Sequence, residues 1–154
     1  MEVMEMKKNL ALRNVSVFLF LAVLIFVFSA DAEAATRRFG TVSVDVPDGW
    51  TVEETDDMLA FMAPDQSALF SVMLETLDGI TFKEFAEGVV GQLNGSVLEE
   101  APHMLAFSFK NEHGIDSEAI LAQNRNNPNL VTMMIKVGEH PQLEGMINSF
   151  TWLD

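Results

Sequence analysis

The chain of 154 residues contains no cysteine, which removes a disulfide framework, a thiolate nucleophile and a cysteine-built zinc site at once. Cations are scarce. Nine Lys and Arg stand against 23 Asp and Glu, a formal charge of −14. Phosphate contacts need a basic surface, so nucleic acid is excluded as a partner. No apolar run reaches the roughly 20 residues that a membrane span requires. Residues 39–153 hold no repeat, low-complexity tract or Pro-rich linker. What is present is enough apolar side chain, 49% by count, to exclude disorder and to build one core.

The chemistry-bearing signatures are missing too. There is no G-x-S-x-G elbow, no H-E-x-x-H pair, and no Gly-rich loop opening a helix. His103, His113 and His140 are far apart and fall at turns or beside Pro141. Ser67, Ser71 and Ser108 lie within strand patterns. The densest acidic run, Glu53, Glu54, Asp56 and Asp57, lacks the spacing and the glycine of a calcium loop. It reads as a solvated hairpin, not a metal site. Seven methionines between Met58 and Met146 read as core filler, with Met133 and Met134 on opposite faces of a strand. Asn94-Gly95-Ser96 fits a glycosylation sequon but reads as a helix-ending turn. No catalytic, cofactor-binding or metal-ligating residue is therefore assigned, no cofactor is expected, and the chain does not read as an enzyme.

The N-terminal 34 residues differ from the rest. Lys7, Lys8 and Arg13 precede Val15–Phe28, 14 residues with Ser16 as the one polar member. Ala30-Asp31-Ala32 and Ala32-Glu33-Ala34 follow as small-x-small patterns. Basic, apolar, then small is the order of a secretory signal peptide. Residues 1–34 are expected to be a leader cut after Ala34, or after Ala32, leaving residues 35–154 as one domain in the periplasm or outside the cell. Membrane contact would then come only through an uncleaved leader. Residues 35–154 carry six Lys and Arg against 19 Asp and Glu, a formal −13 that would steer the domain toward a basic envelope protein.

Periodicity supplies the elements. Val42, Val44 and Val46 alternate with polar residues, as do Trp50 and Val52. Trp50, just after a turn, is expected to plug a core edge; Trp152 could be core or an exposed binding aromatic. Met58–Ala63 and Leu69–Leu74 are apolar on both parities, as central strands covered on both faces would be. Met104–Phe109 puts Leu105, Phe107 and Phe109 on one side, and Ala119–Ala122 and Leu130–Val137 pair across an Asn-rich loop. Phe82, Phe85, Ala86, Val89, Val90 and Leu93 form a helical stripe. Thr81 and Glu84 have capping-box spacing, and Ile80 and Phe85 occupy the staple positions. Gly95 is expected to end this helix, and Gly88 and Gly91 to bring it close to a sheet. A second helix is expected from Pro141 to Phe150, with Pro141 in its first turn. The result is an α+β fold: a mainly antiparallel sheet with two packed helices.

Several phrases carry a family resemblance. Val44-Asp45-Val46-Pro47-Asp48-Gly49-Trp50, Phe61-Met62-Ala63-Pro64-Asp65, Ile80-Thr81-Phe82-Lys83-Glu84-Phe85 and Ile147-Asn148-Ser149-Phe150 resemble the PsbP-like superfamily over about residues 39–152. The nearest likeness is to its bacterial exported members. The resemblance implies a sandwich with a central antiparallel sheet, and a binding or assembly-supporting role in the cell envelope. The alternative left open is a divalent-cation or small-ligand binding protein that uses its acidic surface.

Overall fold

The computed structural model describes residues 35–153; the expected leader lies outside them. The described residues open with β1 (Ala35–Phe39), β2 (Val42–Val46), β3 (Thr51–Glu54), β4 (Met58–Met62) and β5 (Ala68–Thr76). Helix α1 (Phe82–Gln92) follows, then β6 (Ser96–Ala101), β7 (Met104–Lys110), β8 (Asp116–Gln123) and β9 (Leu130–Gly138). Helix α2 (Leu143–Ser149) and the short β10 (Thr151–Trp152) complete it.

Helix α1 starts where the capping box put it. The Glu84 amide donates to Thr81 Oγ1 at 3.2 Å, and the Thr81 amide donates to Glu84 Oε2 at 2.9 Å. Two orphan donors of the first turn are thereby satisfied. The exit differs from expectation. The left-handed residue is Asn94, at φ 51°, not Gly95. The Gly95 amide donates to the Val90 carbonyl at 2.8 Å and the Asn94 amide to Gly91 at 3.3 Å, a Schellman ending. Gly95 has another role: a Cβ there would come within 2.6 Å of the Phe107 ring. Gly91 faces open space, so it does not serve helix–sheet approach as expected.

Seven strands form one antiparallel sheet in the order β3-β4-β5-β9-β8-β7-β6. Helix α1 carries the chain from β5 across one face to the far edge. The β6–β9 meander then walks back and closes on β5 through a nine-residue ladder, Ala68↔Gly138 to Thr76↔Leu130. At that ladder's end Gly138 (φ 73°) is obligatory, since a Cβ would sit 2.1 Å from the Ser67 carbonyl oxygen. The other face carries a small sheet, β1-β2-β10, and α2.

A core therefore lies on each face. Under α1, Phe85, Ala86 and Val89 pack with Leu105, Phe107, Leu121 and Ile135. Under the small sheet, Val42, Val44 and Val46 pack with Trp50, Phe61, Phe70 and Met146. Met133 joins the first core and Met134 the second, as alternation along β9 requires. The α+β sandwich expected from the sequence is the observed architecture.

Three strands escaped the periodicity. Residues of β1 and β6 are almost all exposed edge positions, and β10 has two residues. Helix α2 also starts later than expected. Pro141 belongs to a turn closed by the Leu143 amide on the His140 carbonyl at 3.0 Å, and the first helical bond runs from Met146 to Gln142.

Candidate functional site

Ladder partners share a face of a sheet, so the burial of each strand says which face is covered. On the α1 side, β7, β8 and β9 are covered: Leu105, Phe107 and Phe109 of β7, Ala119 and Leu121 of β8, and Met133 of β9 are all buried. On the opposite side it stops. Met104, Ala106 and Ser108 of β7 and Ile120 and Ala122 of β8 are only half-buried. The small sheet and α2 roof β4, β5 and β9 but end over β8. Their border is Ile147, Phe150 and Trp152, all half-buried, with the Phe150 and Trp152 rings edge to face at 5.6 Å.

The result is a step. Its floor is the bare half of the sheet and its wall is the rim of the second layer. A hollow of about 450 Å³ lies at one end, between Trp152, Met104, Ala122 and Arg125. A smaller one of about 120 Å³ sits beneath Ile147, between Ile120 and Met134. The far end opens into a hollow of about 560 Å³ beside Lys136 and His140. Charge gathers at that far end. Lys136 pairs with its ladder partner Glu118 at 3.0 Å, and Lys110 pairs with Asp116 at 2.6 Å. The floor between is mainly apolar, with the small Ala106, Ser108 and Ala122 set among Met104 and Ile120. Such a surface can bind and exclude water. Among the described residues it offers no hydroxyl, thiol or imidazole with a base at hydrogen-bond distance.

The sequence-flagged residues are dispersed. Glu54, Asp56 and Asp57 are exposed on the β3–β4 hairpin, but Glu53, within β3, is half-buried and departs from the expected full exposure. Among the described residues, no three His, Asp or Glu side chains converge as a metal site would need. His103 pairs with Gln123 Oε1 at 2.8 Å on one turn; His113 lies on another. His140 packs edge-on against Trp50 at 5.2 Å. Trp50 is the expected plug: fully buried, with Nε1 donating to Gln142 Oε1 at 3.0 Å, so it ties the β2–β3 turn to the start of α2. Ser67 donates to Asp65 Oδ1 at 2.6 Å. Ser71 is buried, and its hydroxyl has no hydrogen-bond partner. Met58, Met73 and Met133 are ladder neighbours on three adjacent strands and fill the core under α1.

One titratable group stands out. Burial pushes Glu75 of β5 up to about 7, with the nearby carboxylates of Asp57 and Asp78 adding to the rise. It lies near the acidic hairpin, away from the step. Sequence reading missed the step itself. Its trace was the contrast on β7, where the large Leu105, Phe107 and Phe109 alternate with the smaller Ala106 and Ser108.

No protein-family model matches the chain, and no curated protein matches it. Solved structures do. A point mutant of the protein Mog1 shares 15% identity at a TM-score of 0.51, covering 80% of this chain and 97% of its own. The Ran-binding protein Mog1p of Saccharomyces cerevisiae gives 15% and 0.49, covering 79% of this chain and 97% of its own. A Bacteroides thetaiotaomicron protein gives 16% and 0.45, covering 74% of this chain and 46% of its own. The first of these corrects the family resemblance: the fold shared with that solved structure is that of Mog1, and the assignment to exported PsbP-like proteins does not stand. The phrases that suggested it are turns, a cap and core positions. Any chain with this strand–turn–helix order needs such residues, so they mark architecture rather than kinship. At this identity the likeness is one of fold alone.

Proposed function

We propose that the protein is a non-enzymatic protein-binding module that holds a partner on the step along β8 and is exported to the periplasm or beyond. One observation carries this reading: half of one sheet face is left bare, beside an aromatic rim, while the other face of the same strands is sealed. A bare apolar floor next to partly buried aromatics has the make-up of an interface core. The absence of a paired nucleophile and base at the step speaks for binding over turnover. The leader-like order of residues 7–34 supports export, and the net charge of the domain favours a partner with a basic rim.

Two measurements test it. N-terminal sequencing of protein recovered from the envelope should begin at Ala35 or Glu33; a mature chain that still carries Val15–Phe28 refutes the export part. Ala106→Glu places a charge on the floor without disturbing the core under α1. It should abolish co-purification of the partner that the unaltered protein retains, with melting nearly unchanged. Retained co-purification would move the interface elsewhere.

A further inference from the structure

Edge strand β6 and the groove between it and α1 form a second surface, at the outer edge of the large sheet. Strand β6 ends the seven-stranded order, so alternate backbone amides and carbonyls point away from β7 and are free to pair. Val97 and Leu98 on it are 52% and 58% exposed, two adjacent large apolar residues left uncovered among the described residues. Beside them, on the α1 side, an apolar groove of about 350 Å³ is floored by Phe82, Ala86 and Leu105 and closed at its end by Pro102. Next along the strand come Glu99 and Glu100, both exposed, and no cation of the described residues forms an ion pair with either. Lys83 at the groove rim is turned toward Glu87 at 3.8 Å.

These features select one kind of occupant. A free strand edge asks for extended backbone, the groove and the exposed Val97–Leu98 pair ask for apolar side chains, and two unpaired carboxylates ask for cations. The exposed Glu99 and Glu100 put like charge on this edge in any second copy. That charge opposes self-association and favours a strand of opposite charge. We infer that β6 takes up an extended, alternating basic and apolar segment of a partner protein, which adds as an eighth strand, sets its cations on the side of Glu99 and lowers an apolar side chain into the groove against α1, where Glu100 stands at the rim. This surface differs from the step in using the outer edge and the groove against α1, although Glu99, the ladder partner of Ala106, lies on the step's side of the sheet.

The test uses protein recovered from export-competent cells and a fluorescent ten-residue peptide of alternating lysine and valine, read by anisotropy at physiological salt. Saturable binding is expected, and a glutamate–valine peptide should not bind. The double variant Glu99→Gln, Glu100→Gln should weaken binding about tenfold or more, and both side chains are exposed, so folding is retained. A peptide N-methylated on the alternate amides of one edge keeps its charge but cannot complete the ladder, so its binding should be lost. The inference is overturned if binding survives that N-methylation, which would make it charge attraction alone, or if the double variant binds as well as the parent. It is equally overturned if no saturable binding occurs, or if the unaltered protein dimerises through β6 in preference to taking the peptide.

Discussion

The two faces of the large sheet are built from the same strands and covered to different extents. Under α1, every inward position of β7, β8 and β9 meets a helix side chain or a neighbour, and Phe107 is fully buried. One residue earlier, Ala106 points the other way and meets no second layer. The core under α1 draws on β4, β5, β7, β8 and β9, whereas β1-β2-β10 and α2 stop over β8. A face left bare in this way remains stable only if its side chains are small enough to leave little apolar area in water, and Ala106, Ser108 and Ala122 meet that condition.

The contrast between the faces fails first if neighbouring substitutions on β7 cost the same. Phe107→Ala should destabilise by about 3–5 kcal/mol, through lost transfer energy and the cavity left under α1. Ala106→Asp should cost about 1 kcal/mol or less, because its carboxylate can reach water. Paired denaturant melts decide it; equal costs would mean the second face is covered after all.

The next largest effect concerns Glu75. Its carboxyl titrates near 7 in the folded chain against an ordinary 4.5, so between those values the folded state holds a proton that the unfolded state has released. Stability should therefore fall as pH rises from about 4.5 to about 7 and level off above. Glu75→Gln should flatten that slope and raise stability at pH 8 by about 2 kcal/mol, the half-buried position limiting the gain. Melts across pH would show it; a slope unchanged by the substitution would remove the account of Glu75.

Smaller still, Thr81→Ala should cost about 1 kcal/mol by removing the capping oxygen of α1, which denaturant melts would register. Smallest of all is the expected response to calcium. The exposed carboxylates of Glu54, Asp56 and Asp57 are dispersed along a hairpin, so micromolar calcium should leave the melting temperature nearly unmoved. Binding at a hundred times the dissociation constant would instead add about 2.7 kcal/mol. A shift of that size, lost in Asp56→Asn with Asp57→Asn, would put the cation-binding alternative first.

Much of the covered face was legible in the sequence, because burial writes itself as periodicity. The stripe Phe82–Val89, the Thr81–Glu84 box, the alternation of β7 and the opposite facing of Met133 and Met134 all follow from core contact. The uncovered regions left weaker traces. Val97 and Leu98 are adjacent, followed by two glutamates, so β6 shows no alternation although it is a strand. Arg37 and Arg38 hide β1 for the same reason: an exposed edge selects its residues for solubility, not for a core. Trp152 was ambiguous because it stands at the border of the second layer, half in the core and half on the step. The step itself is a product of where that layer ends, which no local pattern encodes.

A site-specific photo-crosslink in the intact cell envelope decides whether the step is an interface. A photoreactive side chain introduced at Ala106, on the floor of the step, should yield one discrete adduct with another protein. The same group at Gln92, exposed at the end of α1 on the sealed side, should yield none. Equal labelling from both positions, or no adduct from Ala106, would refute a binding role for the bare face.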